Sequence, residues 1–559
     1  MPGLSAGLFL CLLERYFTRN AFFREEENPM KKKAMMSTLL CSAMIMMQTL
    51  PVAAAEEGGS KLYKVVAATN DKINSFVWTC MLFAILGVGL IMTILNKGFQ
   101  FTHFRHWWMN SIGSVFSDKE TRSSDDAKSI SQFQSLCTGM AATVGTGNIV
   151  GVATAIVSGG PGAIFWMWVA SILGLMTNFS ENVLGIYYRR RNEHGEWSGG
   201  AMYYLKDGLG GIKGLKTVGS VLATLFSIFA VLASFGIGNL SQINSIVANI
   251  NTTVVKMGVN DGKIMGFSSI NLVAGFLLMV VAALVIVGGL QRIAQTTEKL
   301  VPFMSVLYIL GTLIMIIMRA PMIIPALASV FRFAFTGHAV AGGTLGTVIK
   351  WGLKRGVFSN EAGLGSSVMV HSNSNVKEPV IQGIWGIFEV FADTLIICTL
   401  TAMVILTSGY VNVATGELTD ASITASALTG HCFSDHFGVA GSVFITLALM
   451  LFAFSTVLGW SHYGTKSWEY LLGTKSTMVY RIAFILCIML GALMTSSLAW
   501  DISDTFNGLM ALPNLIGVLA CSGTVAAILD NYKKRVFEGQ DIEPMYNFDP
   551  ETQMEEEKR

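Results

Sequence analysis

Apolar residues come along this chain in runs of about 20, long enough to cross a bilayer as helices, and polar loops separate the runs. They predict spans near 75–96, 132–158, 162–187, 218–248, 266–290, 300–318, 323–350, 381–407, 438–461, 479–497 and 506–529, about eleven helices in all. One run departs from the rest. Between Ser131 and Gly162 the sequence reads SQFQSLCTGMAATVGTGNIVGVATAIVSGGPG, and its middle holds Thr143, Gly145, Thr146, Gly147, Asn148 and Gly151. These are poor residues for an uninterrupted helix. Irregular backbone survives at membrane depth only where protein buries it or a polar cavity solvates it, and membrane carriers bind substrate and ions at such breaks. The stretch therefore predicts half of a binding site.

Composition agrees with the pattern. With 52% hydrophobic and 13% charged residues and a mean hydropathy of +0.55, the chain is an all-α polytopic membrane protein. A net charge of +2 and the lack of a basic cluster interleaved with aromatics exclude a nucleic-acid partner. Cys80, Cys137, Cys398, Cys487 and Cys521 sit inside apolar spans with neither a CxxC pair nor a Cys/His metal spacing, so they read as apolar packing. Lys31, Lys32 and Lys33 precede the apolar run 34–50, and Val52-Ala53-Ala54-Ala55 offers a cleavage site before Glu56. That is the pattern of a secretory signal peptide, with an extra N-terminal helix as the alternative.

Cationic loops fall on alternate sides of the predicted spans. One side gathers Lys97, Arg105, Lys119, Arg189, Arg190, Arg191, Arg292, Lys299, Lys350, Lys354, Arg355, Lys377, Lys466, Lys533, Lys534 and Arg535. The loop 408–437, with Glu417, Asp420 and Asp435 and no Lys or Arg, lies on the other. The first side is expected to be cytoplasmic, which puts the mature N-terminus outside and the C-terminus inside a bacterial inner membrane. The expected organisation is an extension and signal-like segment (1–55), a peripheral span (75–96), a five-helix repeat (132–318), a second five-helix repeat (323–529) and a cytoplasmic tail (530–559). Because five is odd, the second repeat enters from the opposite face and the repeat is inverted. Its first span carries AFTGHAVAGGTLGTVIKWG, interrupted by Gly337, Gly342, Gly343, Gly346 and Gly352. That predicts the second broken helix, unless the glycines only let helices pack closely.

A broken helix exposes N–H groups where its second half begins and C=O groups where its first half ends. The first suit a carboxylate, the second a small cation or an ammonium. A zwitterionic amino acid with a coupling Na⁺ matches both. Thr143, Thr146 and Asn148 add uncharged oxygen ligands, and Ser455 with Thr456 can complete a Na⁺ site. Trp460, one turn from Thr456, can wall a small pocket, and Gln242 can bond a substrate, though Asn239, Gln242 and Asn244 equally suit helix-to-helix bonding. A proton-coupled carrier would need a titratable group at mid-depth. Glu389 and Asp393 share a face and suit a relay or pairing with Lys354 or Arg355; Glu181 reads as an interfacial charge, and no His falls in mid-span.

The motifs GTGNIVGVATAIVSGGPGAIFWMW (145–168), SFGIGNLSQINS (234–245), QRIAQTTEKLVPFM (291–304), RGVFSNEAGLGS (355–366), DTLIICTLTAMVIL (393–406), FAFSTVLGWSHYG (452–464) and NGLMALPNLIGVL (507–519) occur in that order. Together they resemble the alanine or glycine:cation symporter family (sodium:alanine symporters) over nearly all of 75–530. The resemblance implies a LeuT-like fold and Na⁺-coupled, in some members H⁺-coupled, uptake of small neutral amino acids by alternating access. It implies substrate contacts at Thr146, Gly147, Asn148, Gln242, the Gly343 break, Thr456 and Trp460, and Na⁺ near Thr143, Ser455 and Thr456. Thr344 stands where the family usually has an aromatic residue, a change that would widen or polarise the pocket. No covalent chemistry and no cofactor beyond the coupling ion are expected. Two alternatives of other classes are an intramembrane enzyme, for which the spans hold no catalytic constellation, and a substrate sensor that kept the fold without transport.

Overall fold

In a computed structural model of the protein, the described residues are 61–547 apart from 265, 337–343, 421 and 495–497. The apolar runs fold as helices. The strands among the described residues are two short hairpins, Arg190–Arg191 with Trp197–Ser198 and Lys263–Ile264 with Phe267–Ser268.

In chain order the main helices are α1 (Lys61–Leu95), α2 (Gln132–Thr143), α3 (Val152–Gly159), α4 (Gly162–Tyr187), α5 (Lys216–Phe235), α6 (Ser241–Lys256), α7 (Ser269–Ile286), α8 (Gly289–Met318), α9 (Ile323–Phe333), α10 (Leu345–Asn360), α11 (Val368–His371), α12 (Pro379–Val390), α13 (Thr399–Thr407), α14 (Ala425–Phe437), α15 (Val439–Leu472), α16 (Thr477–Leu493), α17 (Leu498–Ala520) and α18 (Ser522–Val536). Wide π-type turns keep α5–α6 and α12–α13 continuous through 236–240 and 391–398. Eight helices are long and apolar enough to cross a membrane, and two bent pairs bring the number to ten among the described residues. The protein is thus a multi-pass membrane protein. α7 and α8 turn Phe276, Leu277, Leu284, Phe303, Leu310 and Ile317 outward, the faces that lipid covers.

Start signals act where the sequence places them. Ser131 accepts from the Gln134 amide at 3.1 Å while Gln134 Oε1 accepts from the Ser131 amide at 3.1 Å, a capping box that starts α2. Ser268 caps α7 through the Asn271 amide at 3.1 Å, and Pro379 opens α12, where its missing N–H costs nothing.

Four expectations are corrected. The stretch 323–350 is not one span: α9 ends at Phe333, and α10 begins at Leu345. The described glycines of the 337–352 stretch do not break a helix: Gly346 and Gly352 stand inside α10, while Gly337, Gly342 and Gly343 fall outside the described residues. Gly352 serves close packing, since a Cβ there would lie 2.3 Å from the Ala163 carbonyl oxygen on α4. α10 instead ends at Asn360 and the chain unwinds to Ser367, with Glu361 (φ 57°), Gly363 (φ 90°) and Gly365 (φ 72°) in the left-handed region. Third, Lys354 and Arg355 do not share the side of Arg189–Arg191. Lys354 pairs with Asp504 at 2.7 Å, and Arg355 lines a cavity together with Ala425–Ala427 and His431 of the 408–437 stretch. Fourth, that stretch is no simple loop but carries α14, which buries Leu428, Thr429, Cys432 and Phe433.

The N-terminal segment 1–55 lies outside the described residues. α1 runs well ahead of 75, and the tail from 530 begins as the end of α18.

Candidate functional site

α2 stops at Thr143 because Val144 turns extended and Gly145, Thr146 and Gly147 follow, and the axis of α3 departs from that of α2 by 50°. Two amides freed by the break are bonded by side chains. Gly145 N–H donates to Asn148 Oδ1 at 2.9 Å, and Thr146 N–H donates to Gln242 Oε1 at 3.2 Å. Gln242 is itself fixed, its amide donating to the Ile237 carbonyl at 2.9 Å in the wide turn between α5 and α6. Glycine is required at the break by close approach: a Cβ on Gly145 would lie 2.4 Å from Thr456 Oγ1, and one on Gly147 would lie 3.1 Å from the Phe358 ring.

The second break meets the first through Asp393. Its carboxylate accepts from Asn148 Nδ2 at 2.6 Å, from Ser359 Oγ on the last turn of α10 at 2.7 Å and from Thr394 Oγ1 at 2.9 Å. All three donors are neutral, and the hydrogen bonds and ion pairs of the described residues give this carboxylate no cationic partner. Asn360 caps the unwound stretch, accepting from the Ala362 amide and donating to Thr394 Oγ1, both at 3.0 Å. Glu361, a non-glycine residue in the left-handed region, accepts from Trp460 Nε1 at 2.8 Å and from Ser366 Oγ at 2.5 Å. A backbone strain of roughly 1 kcal/mol or more is kept there to set this carboxylate under the indole. Glu181 is not interfacial: it is buried and accepts from Asn514 Nδ2 at 2.5 Å, which also donates to the Gly363 carbonyl at 2.9 Å. Glu389 pairs with His371 at 3.0 Å rather than with Lys354 or Arg355, and both members are fully buried. The expectation that no histidine falls in mid-span fails for His462, which stands inside α15 and is 3% exposed, while His371 ends the short helix α11.

The expected site residues thus divide into two sets. Thr146, Gly147, Asn148, Gln242 and Thr456 surround the first break, and Trp460 packs its Cβ against Gly238 and its Nε1 on Glu361. Thr146 Oγ1 is buried without a partner. Asn239 and Asn244 follow the structural reading and tie helices, donating to the Phe484 and Met494 carbonyls at 2.7 and 2.6 Å. The hydroxyls of Thr143, Ser455 and Thr456 are buried and bond back to their own helices at 3.4, 2.8 and 3.1 Å, as Ser and Thr commonly do in membrane helices. Gly343 lies outside the described residues. Thr344 is exposed at the start of α10, a 16-residue helix, so it stands roughly 24 Å from the second break.

Ser359, Phe358, Glu361 and the site role of Asp393 come from the structure. The signal for them is present in RGVFSNEAGLGS, where two glycines follow an Asn-Glu pair directly after a short apolar run.

A cavity of about 460 Å³ opens beside the site on the α14 side, lined by Gly151, Asn244, Arg355, His431 and Trp500 among others. Trp500 stacks on Phe358 at 6.1 Å between centroids, and Phe358 lies against Gly147, so the two rings separate cavity from site. On the opposite side the segment before α2 is clamped. Ile130 exchanges hydrogen bonds with Asn373 and Asn375 at 3.1 and 2.9 Å. Arg189, buried, donates to the carbonyls of Ser372, Ser374 and Val376, and Arg191 pairs with Asp126 at 2.6 Å on the surface. Arg189→Lys, which keeps the charge but loses the fork, is expected to lower stability in detergent by about 2 kcal/mol, whereas Arg191→Lys at the exposed pair changes it by less than about 1 kcal/mol. Thermal unfolding followed by intrinsic fluorescence reads both. A hydrogen bond from Ser129, with Arg191 adding to it, holds the Asp126 carboxyl down to about 2. Its depressed value means that its stabilisation is present above the ordinary carboxylate range and is lost only as pH falls through about 2. A change in uptake between pH 8 and about pH 5 would therefore originate elsewhere.

The model of the sodium:alanine symporter family matches residues 63–546. The chain is 44% identical to the sodium/alanine symporter AgcS of Methanococcus maripaludis, over 82% of this chain and 95% of that one. It is 34% identical to the "Probable sodium/glutamine symporter GlnT" of Bacillus subtilis, over 84% and 91%. Among solved structures it is similar to MhsT in complex with L-phenylalanine at a TM-score of 0.49 and 13% identity, over 72% of this chain and 99% of that one.

Proposed function

The chain belongs to the sodium:alanine symporter family, and from that premise we propose that it takes up a small neutral amino acid, alanine or glycine, driven by a Na⁺ gradient. The observation that carries the reading is Asp393, a buried carboxylate joining both helix breaks through neutral donors alone. An ionised carboxylate so deep needs a counter-charge, and Na⁺ takes oxygen ligands of the kind that Asp393, Ser359 and Thr394 present. The hydroxyls of Thr143, Ser455 and Thr456 would serve a cation as well, by giving up their back-bonds. The substrate carboxylate fits the amides of Gly145–Gly147 at the start of the α3 half, where Asn148 and Gln242 now occupy two of them. Gly145, Gly147 and Gly238 keep the walls close, and Trp460 bounds the pocket, which favours a short side chain.

Access would alternate between the α14 cavity, shut from the site by Phe358 and Trp500, and the Arg189 side, shut by the clamp on residues 123–131. The α14 side is then extracytoplasmic and the Arg189 side cytoplasmic, in a bacterial inner membrane, with 132–318 and 345–520 as the two repeats. The same carboxylate favours proton coupling as a second reading, because a proton would neutralise it too. The deciding experiment is uptake of radiolabelled alanine and glycine into proteoliposomes under an inward Na⁺ gradient or an equal choline gradient, each with and without a pH gradient. Uptake that needs Na⁺ supports the first reading, and uptake driven by pH alone replaces it with the second. Competition with serine and glutamine bounds the side chain accepted. If neither amino acid moves under any gradient, the substrate assignment fails.

A further inference from the structure

The chain leaves α1 through two consecutive left-handed residues, Lys97 (φ 56°) and Gly98 (φ 61°). Glycine or asparagine adopts that conformation at less cost than lysine, so the lysine at this turn places its ammonium at an energetic penalty. It is set beside a second ammonium and an imidazole. Lys533 of α18 lies with Nζ 5.2 Å from the centre of the Phe99 ring, and the His103 ring stacks on the same Phe99 ring at 4.8 Å between centroids. Burial and the charge of Lys97 pull the Lys533 ammonium below its ordinary value, and burial with Lys533 does the same to the His103 imidazole. The acid in reach, Asp530, is already paired with Lys534 at 2.7 Å. Positive charge is thus in excess at this point.

An apolar surface borders the cluster. Phe101, Phe104, Met109 and Phe116 on the short helices after the turn, with Phe537 beyond α18, are all exposed. They continue the outward face of α1, where Phe83, Leu90 and Ile94 are exposed in the same way. The opposite face of the segment is docked, with Trp107 buried against Phe391 and its Nε1 donating to the Gln100 carbonyl at 2.9 Å. A fixed segment that offers rings to hydrocarbon and excess cations beside them suits an amphiphile with an anionic head.

We propose that Lys97, His103 and Lys533 form a site for the phosphate headgroup of an anionic phospholipid, with an acyl chain lying along Phe101 and Phe104. The lipid would tie the turn after α1 to α18. The test uses the purified full chain in nanodiscs of phosphatidylcholine alone or doped with phosphatidylglycerol, read by the thermal unfolding midpoint. The doped discs are expected to raise the midpoint by several degrees, and Lys97→Asn with Lys533→Gln to lose most of that gain. Lys97→Asn alone suits the left-handed turn, so it folds and is expected to lose part of the gain. Glycerol 3-phosphate added to the undoped discs is expected to leave the midpoint unchanged. Equal midpoints in the two lipids, or a gain kept in full by the variants, overturns the site. A gain reproduced by glycerol 3-phosphate overturns the lipid as its ligand in favour of a free phosphate.

Discussion

Gly145→Ala is expected to cut Na⁺-driven uptake by 10- to 100-fold or more, at roughly 1–3 kcal/mol of overpacking. The added methyl would meet Thr456 Oγ1 at 2.4 Å and Thr456 Cβ at 3.3 Å. Neither helix can yield easily. Thr456 is held by its bond to the Phe452 carbonyl, and α15 already touches α2 where a Cβ on Gly459 would lie 2.6 Å from that of Ala142. Gly151→Ala, four residues past the break region, is the matched control. Its methyl would find nothing nearer than Arg355 Cδ at 3.9 Å, and alanine favours the helix, so uptake is expected to stay near wild type. Initial uptake rates at equal reconstituted protein compare the two. Equal losses in both would mean that glycine flexibility, rather than close approach, matters at the break.

Asp393→Ala is expected to cost more. It strips partners from Asn148, Ser359 and Thr394 together, at roughly 1–3 kcal/mol for each buried donor left unmatched. A loss on the order of 100-fold or more in uptake follows. Asp393→Asn separates charge from shape, since the amide can still accept from Asn148 or Ser359. That variant is expected to bind alanine, measured by equilibrium radioligand binding in detergent, with a much weaker dependence on Na⁺ than the wild type. A Na⁺ dependence as steep as the wild type's would remove Asp393 from the cation site and leave the hydroxyls of Thr143, Ser455 and Thr456 as the donors.

The first break was legible in the sequence because its signal is local. Thr143 to Gly151 packs poor helix formers into an apolar run, and unwinding follows from the residues themselves. The second break is marked by fewer such residues. Glu361, Gly363 and Gly365 unwind the chain after a 16-residue helix that carries Lys350, Lys354 and Arg355, so hydropathy ends the span too early and shifts it toward the glycines of 337–352. Those charges look like loop residues by composition; the ion pair to Asp504, more than a hundred residues away, makes them tolerable inside the protein. Glu181 was misplaced, and the pairing of His371 missed, for the same reason. Their partners, Asn514 and Glu389, come from other helices, and spacing along one segment carries no trace of them. Gln242 and Thr456 stand out in the sequence because an amide or a hydroxyl pair in an apolar helix needs a reason, and both lie at the first break, Gln242 accepting from the Thr146 amide and Thr456 Oγ1 2.4 Å from where a Cβ on Gly145 would be.

A site between the breaks at 144–147 and 360–367, rather than near the start of α10, makes opposite demands on Asn148 and Thr344. Na⁺-driven alanine uptake by Asn148→Ala and Thr344→Ala, reconstituted side by side after gel filtration shows both folded, tests it most directly. Asn148→Ala, which unpins both Gly145 and Asp393, is expected to lose uptake while Thr344→Ala keeps it. Uptake that survives in Asn148→Ala and collapses in Thr344→Ala would contradict it.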